Sequence, residues 1–198
     1  MKNNVTVTVK EFSAPPVNMR EVLRYSGGKD VENARECLKE AEDVLSYKVC
    51  YAVLDLSVEN GETDFGFAKV KSLDLAKNLK ECNGAVIFVA TVGVGIDRLI
   101  ARYGRLSPSR ALFFQAIGSE RAESLCDAFE DEIKKELAGE GVTFAPRFSP
   151  GYGDLSLEIQ KEIFSLLDCS RRIGVSLGDS LLMTPSKSVS AIIGFGRK

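Results

Sequence analysis

The chain has 198 residues, 44% of them hydrophobic, which is enough to bury a core and matches the size of one ordinary domain. Lys and Arg number 26 against 28 Asp and Glu, and the resulting net charge of -2 offers no overall basic field for a nucleic acid backbone. There is no histidine, which excludes a Ser-His-Asp or Cys-His hydrolase, a histidine-ligated metal site and a histidine-ligated corrinoid carrier within this chain.

Residues 1 to 198 read as a single domain, opening on a short strand where Val5, Val7 and Val9 alternate with Thr6 and Thr8. Ser13 to Pro16 is linker-like. Asn18 to Tyr25 predicts one or two helical turns ending at Gly27-Gly28, and the spacing of Ala34, Leu38, Ala41 and Leu45 predicts a helix from Val31 to Leu45. Val49 to Leu56 predicts a strand, paired in an antiparallel hairpin with Thr63 to Val70 across the turn Glu59-Asn60-Gly61-Glu62. Ser72 caps a helix through Cys82, and the unbroken apolar run Ala85 to Val92 is a buried central strand.

The turn Gly93-Val94-Gly95 leads into a short helix, Ile96 to Tyr103. Ser107 at the N-cap and Pro108 at the first helical position then start a long helix to Leu137, with Gly118 as a candidate bend. Leu125, Phe129, Ile133 and Leu137 form its apolar stripe. The stretch from Pro146 to Asp154 has no regular period and is the best candidate for a functional loop. A helix from Leu157 to Leu167 capped by Ser156, a further turn closed by Gly174, and a terminal hairpin of Leu181 to Met183 with Ser188 to Gly194 complete the chain.

The five cysteines, Cys37, Cys50, Cys82, Cys126 and Cys169, contain no C-x-x-C pair and read as reduced, mostly buried thiols. No run approaches the roughly 18 apolar residues of a membrane helix, and no apolar run precedes a cleavage site at the N-terminus. The expected location is therefore the cytoplasm, with neither membrane nor nucleic acid as a partner.

Three segments carry candidate chemistry. Thr91 to Arg98, TVGVGIDR, has part of a dinucleotide fingerprint, but Arg98 occupies the third glycine position and Asp97 would oppose a phosphate, so a tight strand-to-helix turn explains it better. Glu120, Glu123, Asp127 and Glu130 fall on one side of the long helix; the plain reading is a solvated acidic face. Within that row Asp127, between Leu125 and Phe129, is a candidate partly buried carboxylate facing a cationic ligand. In Arg147 to Asp154, RFSPGYGD, Pro150, Gly151 and Gly153 make a preorganised loop. Arg147 suits a carboxylate, the amides of Gly151 and Tyr152 an acceptor, and the Tyr152 ring a heterocycle; the alternative is a plain turn in which Arg147 pairs with Asp154.

Arg147-Phe148-Ser149-Pro150-Gly151-Tyr152 resembles the Arg-Pro-Ala-Pro-Gly-Tyr loop of the activation, or reactivation, domain of cobalamin-dependent methionine synthase. Leu177 to Gly194, LGDSLLMTPSKSVSAIIG, is similar to that family's Leu-Thr-Glu-Ser-x-x-Met-x-Pro-x-x-Ser-Val-Ser segment, and Ala122 to Phe129, AESLCDAF, resembles its Ala-Asp-x-Leu-Ala-Glu-Ala-Phe helix. Three blocks in the right order over the second half of the chain are more specific than any one motif. The resemblance implies an α+β fold, a twisted and mainly antiparallel sheet packed with helices, and no metal ligands or catalytic side chains of its own.

It further implies binding of S-adenosylmethionine through Arg147, Ser149, Gly151, Tyr152 and, at the cationic end, Asp127. The methyl group would be presented to a cobalamin supplied by a corrinoid-binding partner, or by a methionine synthase lacking its own activation domain, with an electron donor completing the system. The family's N-terminal Asp-Trp-Thr-Pro-Phe-Phe stretch and the paired tyrosines of its last strand, which supply ligand contacts, have no counterpart in this sequence. The runner-up expectation is a non-catalytic module that docks on a corrinoid protein without binding S-adenosylmethionine.

Overall fold

The structure, a computed structural model, describes residues 5–28 and 30–197. The alternating valines form β1 (Val7–Phe12). In α1 (Met19–Ser26) the Asn18 side chain accepts from the Glu21 amide at the start, and Gly27 closes the end in the left-handed conformation. Asp30 caps α2 (Val31–Glu42), which stops short of Leu45 because the amides of Val44 and Leu45 both turn back to the Ala41 carbonyl. Next come β2 (Tyr47–Asp55), β3 (Ser57–Glu59), β4 (Glu62–Asp64), β5 (Lys69–Lys71), α3 (Leu73–Asn78) and β6 (Gly84–Thr91). They are followed by α4 (Gly95–Leu106), the 30-residue α5 (Pro108–Leu137), β7 (Val142–Phe144), α6 (Ile159–Leu167), α7 (Cys169–Ile173), β8 (Ser176–Leu177), β9 (Met183–Thr184) and β10 (Ser188–Arg197).

The main sheet has the order β1-β2-β6-β10-β7 with every pairing antiparallel, as an α+β fold requires. All eight residues of β6 are buried, and the period of two along it divides the interior. Val86, Phe88 and Ala90 pack on the face covered by α1, α2, α4 and α5, whereas Ala85, Ile87 and Val89 pack on the face covered by α3, α6 and α7. The stripe of α5 lies on the first face, with Leu125, Phe129 and Ile133 fully buried and Leu137 partly so.

Several strand partners differ from the sequence expectation. The hairpin of Val49 to Leu56 with Thr63 to Val70 does not form, because β1 and β6 occupy both edges of β2. The Asn60-Gly61 turn instead joins β3 to β4 in a separate three-stranded sheet. The run from Thr63 to Val70 is broken where the Asp64 carboxylate accepts from the Gly66 amide. The terminal hairpin is also absent, since β10 is flanked by β6 and β7 and β9 must pair with β8. α3 ends at Asn78, before Cys82, although Ser72 caps it as expected. α5 passes through Gly118 without interruption, and the missing side chain makes room for Lys187 and Ile96. Ser107 stands at the N-cap of α5, but its hydroxyl meets that of Ser109 rather than a helix amide.

The second departure lies inside α5. Glu120, on the row expected to be solvated, is 2% exposed, and its neighbour Arg121 is 1% exposed. Arg121 donates through Nε to Glu120 Oε2 at 2.6 Å and through Nη2 to Oε1 at 2.7 Å, while its Nη1 and Nη2 reach the carbonyls of Pro15 and Pro16 at 2.6 and 2.8 Å. Glu120 Oε1 also accepts from the Asn18 amide and the Ser124 hydroxyl, both at 2.8 Å. The pair thus ties the Ser13 to Pro16 segment and the start of α1 to the middle of α5. Replacing Glu120 with alanine strands a buried guanidinium, and a loss of about 3–5 kcal/mol is expected in urea unfolding at neutral pH. A loss within 0.5 kcal/mol, the usual effect of a surface change, would contradict this role.

Candidate functional site

Beyond β7 the chain stays extended along the edge of β10. The Ala145 amide donates to Gly194 at 2.8 Å, and Phe148 and Ile192 exchange both backbone hydrogen bonds at 2.9 and 2.8 Å. Successive side chains of an extended segment point to opposite faces, so Arg147 turns towards α5 while Pro146 and Phe148 turn towards α3. A cleft opens on each side.

The Arg147 cleft is about 300 Å³ and lies between α1 and α5, with Asn18, Glu21 and Tyr25 on one wall and Glu120, Glu123, Ser124 and Asp127 on the other. Arg147 Nη2 donates to Glu123 Oε2 at 2.7 Å, and Nη1 stands 3.3 Å from Asp127 Oδ1 and 3.9 Å from Glu130 Oε2. Nη1 is buried and has no hydrogen-bond partner among the described residues. Arg121, Arg24 and Lys134 occupy the carboxylates of Glu120, Glu21 and Glu130, which leaves Glu123 and Asp127 set against the single charge of Arg147. The cleft therefore favours a ligand head that carries a cation together with a carboxylate.

Asp127 corrects one expectation. Its side chain is 71% exposed, because a residue two positions from both Leu125 and Phe129 lies about 200° around the helix from each and so points away from their stripe. Behind it, Cys126 is fully buried, and burial pushes its thiol up to about 12, so no reactive thiolate faces the cleft. All five cysteines are free, four of them buried.

The second cleft, about 580 Å³, runs between Asp74, Lys77 and Asn78 of α3 and Pro146, Phe148, Tyr152 and Gly153 of the loop. Tyr152 is 72% exposed and rests edge-on against Phe148, with ring centroids 5.9 Å apart. Its free ring face suits a planar ligand. Ser149 and Gly151 line neither cleft; they form the turn that carries Tyr152. The amides of Gly151 and Tyr152 do not await a ligand, since they donate to Leu155 and Ser149 at 2.8 and 3.1 Å. The turn of the alternative reading is present, but its Arg147–Asp154 pair is not. Asp154 turns away from Arg147 to accept from the Ser72 hydroxyl, the Leu73 amide at 2.7 Å and the Asp74 amide at 3.2 Å.

The structure thus brings Arg147 and Asp127 together and sets Tyr152 on the opposite face of the edge strand. Sequence reasoning missed the α1 wall, whose only signal was Asn18 ahead of a short helical pattern, and the α3 wall, which has no local signal. The Gly93 to Gly95 turn is structural. Gly95 lies so close to the Val44 carbonyl that a side chain would collide with it, and Asp97 accepts from both the amide and the hydroxyl of Ser186. Among the described residues no group of histidine, cysteine or acidic side chains is placed to hold a metal, and no helix is long and apolar enough to cross a membrane.

An antiparallel α+β sheet with helices on both faces and a glycine-containing loop that follows its edge strand is the class of protein this architecture defines. The family model for the activation domain of vitamin B12 dependent methionine synthase matches residues 74–197, and the chain belongs to that family. Among solved structures it is similar to the MetH reactivation domain bound to AdoHcy, with a TM-score of 0.67 and 14% identity over 96% of this chain and 78% of that one. At that identity the likeness shows the fold. No curated protein sequence matches the chain.

The Ser72 hydroxyl first, and then the amides of Leu73 and Asp74, hold the Asp154 carboxyl below its ordinary value. A carboxyl depressed by folding stabilises the protein above its unfolded pKa of about 3.9, and that contribution is lost as the pH falls through the lower folded value. Asp154→Asn is therefore expected to be less stable than the parent at pH 7, with the gap closing below pH ~4 in thermal unfolding followed across pH. A gap that widens in acid would show that Asp154 is not held as an anion.

Proposed function

We propose that this domain binds S-adenosylmethionine and presents its methyl group to a corrinoid held on a separate protein or domain, so that a cobalamin-dependent methionine synthase or related methyltransferase can be returned to activity. The observation that carries this reading is Arg147, which stands on the family's loop with a half-buried guanidinium whose single charge is shared by two carboxylates of the cleft, Glu123 and Asp127. Arg147 takes the ligand carboxylate through parallel hydrogen bonds, while Glu123 and Asp127 face its ammonium and sulfonium. Tyr152 offers its exposed ring to the nucleoside, and the turn at Ser149 and Gly151 sets where that ring stands.

A corrinoid held by the partner and reduced by an electron donor would supply the nucleophile; it would take the methyl carbon as the carbon–sulfur pair returns to sulfur, leaving S-adenosylhomocysteine. This chain's share is positioning, which needs no histidine. With no histidine in this sequence, an Asp-x-His-x-x-Gly corrinoid motif lies on a partner, a corrinoid-binding protein or domain that works with an electron donor in the cytoplasm.

One observation favours a second reading, a docking module that does not bind S-adenosylmethionine: Arg147 is already paired with Glu123, and the loop amides are used internally. Titration calorimetry separates the two. Saturable binding of S-adenosylmethionine that Arg147→Ala weakens by about 1.5–3 kcal/mol supports the ligand role. Absence of heat from the parent protein, with retained docking on a corrinoid protein, supports the module.

A further inference from the structure

The loop that carries Tyr152 is fastened to α3 at both ends, and neither tie was visible in the sequence. At its start, Asn78 Nδ2 donates to the Pro146 carbonyl at 3.2 Å. At its end, Asp154 receives the Ser72 hydroxyl and the amides of Leu73 and Asp74, and returns its own amide to Asp74 Oδ2 at 3.3 Å. An N-cap normally comes from the residue just before its helix; here Ser72 fills that place for Leu75, and a carboxylate some eighty residues later in the chain takes the first two orphan amides. Gly153, at φ 54, lies against the Asp74 carboxylate, which a methyl group there would displace. The two segments that these bonds join are the two walls of the cleft between α3 and Tyr152.

We infer that Asp154 is a positioning residue: it latches the 146–154 loop onto α3 and so fixes Tyr152 over the cleft, without touching the ligand itself. The inference rests on the reading that this loop takes the nucleoside of S-adenosylmethionine. It assigns a role to the Ser72, Asp74, Gly153 and Asp154 group that neither the family loop motif nor the Arg147 cleft explains. Two routes break the latch. Asp154→Ala removes the acceptor, and Gly153→Ala strains a positive-φ position and pushes the Asp74 carboxylate away from the Asp154 amide while leaving the Asp154 side chain in place.

The test pairs native-state hydrogen exchange with calorimetry on the same proteins. In Asp154→Ala and Gly153→Ala, exchange at the Gly151 and Tyr152 amides is expected to rise at least tenfold while the β6 amides keep their protection. S-adenosylmethionine affinity is expected to fall about tenfold in both. Asp154→Asn, which keeps one acceptor oxygen, is expected to recover much of both readouts. Ser72→Ala, which removes the local cap of α3, should loosen α3 amides more than loop amides.

Unchanged exchange at Gly151 and Tyr152 in both latch variants would overturn the inference. Raised exchange with unchanged affinity would overturn the positioning role. A parent protein that fails to bind S-adenosylmethionine would overturn the functional reading instead, and the exchange comparison alone would then decide whether Asp154 holds the loop.

Discussion

Glu120 and Arg121 are neighbours in a helix, where adjacent side chains normally point apart, and both are removed from water. Such a pair is tolerable only when its remaining hydrogen-bonding positions are filled, because each unpaired buried charge costs several kcal/mol. The carbonyls of Pro15 and Pro16 meet that need. Proline donates nothing to a strand or helix, so a Pro-Pro segment has free acceptors and a restricted shape, and Arg121 collects two of them in one fork. Glu120 then reaches the Asn18 amide, which sets where α1 begins. The α1 wall of the Arg147 cleft is therefore placed by a buried charge pair whose Glu120 stands on the opposite wall.

The other organising constraint is the two-residue period of the edge segment. Because Arg147 and Phe148 are consecutive in extended backbone, one family motif serves two faces of the sheet at once: a polar cleft against α5 and a more apolar one against α3. A ligand with a charged amino acid end and a flat nucleoside end has the same division of character. The resemblance names the loop, whereas the backbone register explains how its side chains are distributed.

What was legible in the sequence follows the range of the interactions involved. α5, β6 and the capped helices depend on contacts within a few residues, and periodicity with caps located them. Strand partners depend on competition for edges, and both predicted hairpins failed where β2 and β10 were already flanked on each side. Charge on a helix face was the weakest guide. The same acidic row holds Glu120 at 2% exposure and Asp127 at 71%, although two residues seven apart stand at nearly the same angle around a helix; the difference is set by the Pro15-Pro16 segment and the start of α1, which cover Glu120 and not Asp127. The walls from α1 and α3 come from parts of the chain distant from the loop, so no local pattern announces them.

The position of β10 has a kinetic consequence. This strand lies inside the sheet, bonded to β6 on one side and β7 on the other, although it pairs with β6 across a separation of roughly a hundred residues. Until β10 is available, β6 offers a free edge that is apolar from Ala85 to Ala90, the kind of template that recruits other chains. Synthesis of this domain therefore passes through an interval in which its most hydrophobic strand is half-paired, and chaperone demand should concentrate there.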